Sequence, residues 1–152
     1  MKDILPLLVI AAILIILIFY FATAKGEKKK IQLVNSENST IDLEVEIADS
    51  IATRTKGLMG RQTLGKNEGM LFVFGKQEKH GFWMMNTSIP LDAIHISADG
   101  TIVDIIEMQP CGLNCPIYNP RAESLYVLEV NQGFSKENKI QVNKSRLILK
   151  NA

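Results

Sequence analysis

LDAIHISADGTIVDIIEM, Leu91 to Met108, is the stretch that decides the fold class. Two apolar-rich runs of strand length flank Ala98-Asp99-Gly100, and Asp99-Gly100 supplies residues that tolerate positive φ. This is the best hairpin in the chain, and it predicts two antiparallel strands. His95 alternates with Leu91, Ala93 and Ser97 along the first of them. A hydrogen-bonded, half-buried histidine is the preferred reading, because no second His or carboxylate sits at a spacing that supports metal binding or general-base work.

Working upstream, Ile41 to Ala48 (IDLEVEIA) alternates, with Ile41, Leu43, Val45 and Ile47 on one side and Asp42, Glu44 and Glu46 on a wet side. IQLV pairs with it across NSENS. DSIATRTKGLMG predicts a short helix capped by Asp49 or Ser50 and ending near Gly60. GMLFVF, FWMMNTSI, SLYVLEV and SRLILK are read as further strands, and NQGFSKENK as room for one helical turn. The expected fold is therefore mainly β. It is a compact antiparallel β-sandwich or partly closed barrel with one or two short helices.

An N-terminal transmembrane helix is expected before it. Ile4 to Ala24 holds 21 residues without a charge, about 31 Å as a helix and close to the thickness of a bilayer core. Ala22-Thr23-Ala24 has the small-x-small form of a signal-peptidase site, but the apolar run exceeds the length usual for a cleaved signal. The division is thus 1–24 as membrane anchor or signal segment, 25–30 as charged tether, and 31–152 as one β-rich domain. Lys25, Lys28, Lys29 and Lys30 follow the span and only Lys2 precedes it, a bias that would hold the domain in the cytoplasm. Cys111 and Cys115 argue the other way. Their C-x₃-C spacing suits a loop disulfide, with free thiols or a metal or redox pair as alternatives, and a disulfide needs an extracytoplasmic setting. The extracytoplasmic placement, tethered or else cleaved and exported, is preferred. A net charge of +1 gives no reason to expect a nucleic-acid partner.

The chemistry-bearing candidates centre on GFWMMNTSIPLD, Gly81 to Asp92. On a strand, Trp83, Met85, Thr87 and Ile89 would face the core, while His80, Phe82, Met84, Asn86 and Ser88 would border a site. Asn86-Thr87-Ser88 ahead of Pro90 is equally good turn chemistry, with Asp92 able to cap the turn. Asn38, Asn86 and Asn143 each begin an Asn-x-Ser/Thr sequon. The six methionines suggest copper, but Met84 and Met85 would point to opposite faces of a strand and are taken as packing residues. No cofactor or metal site is expected.

EIADSIATRTKGLMGR, NEGMLFVF, FWMMNTSIPLDAIHISADG and CGLNCPIY followed by YVLEV occur in this order. Together they make the chain resemble the domain-of-unknown-function 192 family, also called uncharacterised protein family 0127, over roughly Ile41 to Leu149. The resemblance implies a compact β-rich domain, often behind a signal or membrane anchor, and no particular reaction. Its pattern marks Arg54, Gly57, Leu58 and Met59, then Glu68, Gly69 and Met70, then Phe82, Trp83, Met84, Asn86, Thr87, Pro90, Leu91 and Asp92. Further on it marks Asp99, Gly100, Cys111, Cys115, Pro116 and Tyr118. One departure is Asn143-Lys144, where similar chains carry a Gly-Asp turn. The expected function is a membrane-tethered module that binds an envelope protein or small ligand, its lipid contact made by Ile4 to Ala24. Its expected contact surface is Arg54, Glu68, Phe82, Asn86 and Asp92. An alternative is an envelope-associated hydrolase using Asp92 and Glu68 as acid and base, and a second is metal handling.

Overall fold

The structure, a computed structural model, describes residues 4–23 and 26–148; the side chains of 4, 5 and 20–23 lie outside that description. The hairpin comes first. β4 (Leu91–Ile96) and β5 (Ile102–Met108) pair antiparallel from Leu91↔Met108 to Ile96↔Ile102, with an irregularity after His95. Gly100 takes φ 88°. The Asp99 carboxylate accepts from the Thr101 N–H at 3.0 Å and from the Ser97 hydroxyl, closing the turn.

β1 (Lys28–Val34) and β2 (Thr40–Ala48) form a second hairpin, from Lys28↔Glu46 to Val34↔Thr40. Asn35 Oδ1 accepts from Glu37 N and Ser39 N within its turn, and Asn38 supplies the left-handed residue at φ 61°. Lys28, Lys29 and Lys30 thus belong to the sheet, so only part of the expected tether precedes the domain. β2 then leads through α2 (Ile51–Lys56) to β3 (Glu68–Glu78), which pairs with β2 in parallel. A parallel neighbour requires a crossover connection, and α2 with residues 57–67 provides it. The sheet is therefore mixed.

With β6 (Ser124–Asn131) and β7 (Arg146–Leu147), the order across the sheet is β5-β4-β6-β3-β2-β1-β7. It curls, and the Thr101–Arg146 bridge brings its two ends together. The partly closed barrel is the alternative the structure takes. Leu33, Leu43, Val45, Ile94, Ile96, Ile102, Leu128 and Val130 fill the inside and are almost without exposure. α3 (Phe134–Glu137) closes that side with Phe134. On the outer face a second cluster gathers Met70, Phe72, Leu91, Ala93, Met108 and Val127 under Leu58, Met84 and Ile89. Each Val, Leu, Ile, Met or Phe side chain so removed from water contributes about 1.5–3 kcal/mol.

Three expectations change. Residues 81–90 are not a strand: Phe82 makes one bridge to Tyr118 and the rest is turn and irregular backbone. Glu46 is not on a wet face but buried against Arg61 in an ion pair. The final strand is only Arg146–Leu147 within the described residues. The departure at Asn143 is absorbed as expected, since Asn143 adopts φ 60°.

α1 (Ile4–Thr23) is helical, and all its described side chains are exposed. Among the described residues no helix is long and apolar enough to cross a membrane.

Candidate functional site

The crossover builds one wall. Ser50 caps α2 in a reciprocal capping box with Thr53, and Gly57 ends the helix at φ 49°. A side chain at Gly57 would combine that backbone with a contact of 3.4 Å to the Phe72 ring. Leu58 turns inward onto the outer-face core, leaving Met59 on the surface side.

Residues 81–90 build the other wall. Phe82 and Tyr118 exchange backbone hydrogen bonds at 3.0 and 2.7 Å. A turn follows, Thr87 N donating to Met84 O at 3.1 Å, with Asn86 at φ 53°. The turn docks on the crossover: Gly60 N donates to Asn86 O at 2.8 Å, and the Ser88 hydroxyl to Arg61 O at 2.9 Å. Because the segment is no strand, its side chains do not alternate. Met84 is fully buried and Trp83 is 46% exposed, the reverse of the expected assignment.

Between these walls lies a cleft of about 220 Å³. Arg54, Met59, Phe82, Trp83 and Thr87 form its sides, and Phe72, Phe74 and Glu129 reach it from the sheet beneath. Phe72 and Phe82 meet edge to face at 5.0 Å. Phe74 stacks on His80 at 3.6 Å and carries the Arg54 guanidinium 5.5 Å from its centre. Arg54 Nη1 also donates to the carbonyls of Asp49 and Val73, at 2.5 and 2.9 Å.

Glu129 is the unusual group. It sits mid-strand in β6, opposite Met70 of β3 and Ala93 of β4, with 4% exposure. No hydrogen bond or ion pair to its carboxyl exists among the described residues. Burial pushes its pKa up to about 8. The close approach of β3 is made by Gly69, where a Cβ would fall 2.6 Å from the Glu129 carbonyl oxygen.

The structure brings only two of the expected contact residues, Arg54 and Phe82, into this cleft. Asn86 is exposed on the back of its turn and is not a lining residue. Glu68 opens β3 elsewhere, its carboxylate accepting from Gly65 N at 3.1 Å and lying 3.8 Å from Lys28 Nζ. Asp92 is buried and accepts from Gly133 N and Ser135 N at 3.2 and 2.9 Å, capping α3 from the neighbouring strand. A carboxylate with both oxygens bound to backbone amides serves the fold and not a substrate, so the Asp92–Glu68 acid and base pair has no support in this geometry.

His95 is fully buried with Nδ1 3.1 Å from the Ser124 hydroxyl, and burial lowers its pKa to about 4. It is a hydrogen-bonded core group, as expected, but fully buried where half-burial was expected. No cluster of ligating side chains suited to a metal occurs among the described residues. Cys111 and Cys115 are disulfide-bonded with Cα atoms 5.3 Å apart. All three sequon asparagines occupy left-handed turn positions, which accounts for Asn at each of them without glycosylation.

Trp83 and Glu129 escaped the sequence reading. Strand periodicity misassigned the first. For the second there was a signal in SLYVLEV, where Leu125, Val127 and Glu129 share a face, placing a carboxylate in line with core side chains.

Solved structures share this architecture, two of them as follows. A proposed transcription regulator from Sinorhizobium meliloti 1021 superposes with a TM-score of 0.77 at 35% identity, over 82% of this chain and 95% of its own. A protein of unknown function from Novosphingobium aromaticivorans DSM 12444 gives 0.74 at 26% identity, over 86% and 96%. No curated protein matches. The model of the DUF192 family, described as "Uncharacterized ACR", matches residues 32–146, and those residues carry both walls and the floor of the cleft: the chain belongs to the DUF192 family.

Proposed function

We propose that the protein is a membrane-tethered extracytoplasmic binding module whose ligand seats in the cleft over Glu129. The observation that carries this reading is the Glu129 carboxyl at the cleft floor, 4% exposed and with no protein partner among the described residues. A carboxyl with no protein partner at the floor of a cleft is poorly solvated, and a bound partner would stabilise it. Aromatic side chains beside convergent polar groups, here Arg54, Thr87 and Glu129, are a common make-up of small-ligand clefts. The cleft holds no second acid or base beside a nucleophile, so binding is favoured over catalysis. The tether is supported by the uncharged run Ile4 to Ala24 and by the exposure of apolar side chains along α1, a surface that water does not favour. The Cys111–Cys115 bond supports the extracytoplasmic side. A nucleic-acid role is not carried over from the Sinorhizobium relative, since the net charge is +1.

Trp83 is the only tryptophan in the chain and stands at the cleft, so its emission reports on occupancy. The full chain in lipid nanodiscs is titrated with a panel of small metabolites covering amines, acids, sugars and amides. A saturable change in Trp83 emission for one class is expected, and its loss on Glu129→Gln. Silence across the panel, in emission and in thermal stability, overturns the reading.

A further inference from the structure

The charges around the cleft narrow the ligand class. Three ionisable residues line it, Arg54, Lys56 and Glu129. Arg54 is held by the Asp49 and Val73 carbonyls and by the Phe74 ring, and Lys56 is engaged as well. Of the three, Glu129 alone has no side-chain partner among the described residues, and it is nine-tenths buried or more. Resting on the cleft as a ligand site, we infer that it takes a small organic cation, a protonated amine or quaternary ammonium, seated between the Glu129 carboxylate and the Phe72, Phe82 and Trp83 rings. Aromatic rings attract cations through their quadrupoles, and the attraction grows when both are desolvated. A carboxylate at the floor adds the counter-charge that burial otherwise withholds. The volume of about 220 Å³ admits a headgroup of this size and little more.

Binding is then coupled to a proton. Empty, Glu129 holds its proton at neutral pH, because burial raises its pKa to about 8. A cation binds the ionised form, so the proton leaves to solvent as the ligand enters. Affinity rises about tenfold per pH unit between pH 6 and 7 and levels off above pH 8. The other groups near the floor do not reproduce this profile. His95 on β4 is neutral throughout that range, and β3 presents Met70 opposite Glu129. Asp92 serves α3 by its bonds to Gly133 and Ser135.

The same ammonium chemistry is offered by free amines and by lipid headgroups, and the test separates them. The full chain is placed in phosphatidylglycerol nanodiscs, which lack an ammonium group, and titrated with choline and with its neutral isostere 3,3-dimethylbutan-1-ol while Trp83 emission is followed. Choline is expected to bind with the stated pH profile, at least tenfold more tightly than the alcohol. Glu129→Gln is expected to lose that tenfold preference, and Trp83→Ala, followed by calorimetry, to weaken choline without shifting the pH profile. A lipid source shows as loss of choline binding when phosphatidylcholine replaces phosphatidylglycerol in the disc; a free amine shows as no change. Equal binding of alcohol and choline, a falling affinity with rising pH, or no binding of choline at millimolar concentration overturns the cation. If another compound class still moves Trp83 emission, the ligand cleft stands without it.

Discussion

Replacing Glu129 by Gln keeps the shape of the cleft floor and removes the titration. In the fold the carboxyl has a pKa of about 8, against 4.5 for the unperturbed group. The folded protein therefore binds more protons than the unfolded chain between these values, and stability falls as pH rises through that window. The contribution is fully present below about pH 4.5 and gone above about pH 8. Worked from the two pKa values, the ionisation penalty is about 2 kcal/mol at pH 6, about 3 kcal/mol at pH 7 and about 5 kcal/mol at pH 9. Glu129→Gln escapes it. Its own amide hydrogens need partners at every pH, so the variant carries a constant offset, and the informative quantity is the change in the gap. For a domain of this size 1 kcal/mol corresponds to about 4 °C. The difference in Tm between variant and parent, from circular dichroism of the full chain in micelles, is expected to move by roughly 10–15 °C in favour of the variant from pH 5 to pH 8. His95 titrates in both proteins and cancels. A gap that stays constant across this range refutes the buried, unpartnered carboxyl and the site built on it.

Asp92→Ala leaves Gly133 N and Ser135 N without their acceptor and is expected to cost about 2–4 kcal/mol in urea denaturation, while Asp92→Asn retains part of it. Asn86→Ala forces a Cβ-bearing residue without a local hydrogen-bonding side chain to φ 53° and should cost about 1 kcal/mol, with Asn86→Gly close to neutral. Met84→Ala opens a cavity under the turn and should cost about 2–5 kcal/mol, whereas Trp83→Ala, half exposed, should change stability by less than about 1.5 kcal/mol. Cys111 and Cys115 should resist a membrane-impermeant maleimide on intact cells until a reductant is added; labelling without reductant argues against the extracytoplasmic placement.

Much of the sheet was legible because local rules govern it. The Asp99-Gly100 turn, the Asn38 turn and the alternation of Leu43 with Val45 each follow from a few neighbouring residues, and each appears where expected. The parallel pairing of β2 with β3 was not legible, since no local signal says which distant strand a crossover returns beside. The motif Gly81 to Asp92 misled for a physical reason. Its apolar residues have strand-like density, yet Asn86 in the left-handed region and the bonds to Gly60 and Arg61 fold it into a docked loop. Of the site, Arg54 and Phe82 could be anticipated, but Glu129 becomes notable only once Met70, Ala93 and the two walls surround it.

The first three lysines of β1 have a consequence beyond the tether. Lys28, Lys29 and Lys30 pair with β2 on one side, and among the described residues β7 and Ile148 cover the other side of β1 only from Gln32 to Val34. Among those residues the backbone of the three lysines is an open sheet edge, the place where a second copy of the chain would add a strand. Lys28 is tied to Glu44 at 2.6 Å and Lys29 lies 3.6 Å from Glu27, so long, hydrated ion-paired side chains flank that edge. A second strand docking there would have to desolvate them. The lysines therefore act as gatekeepers against edge-to-edge polymerisation, which matters most where anchoring crowds molecules into two dimensions. A count of basic residues flanking the apolar run treats them as topology signals, but the sheet has its own reason to keep them. Replacing Lys28, Lys29 and Lys30 with Thr should leave the fold intact and raise self-association, read by chemical cross-linking.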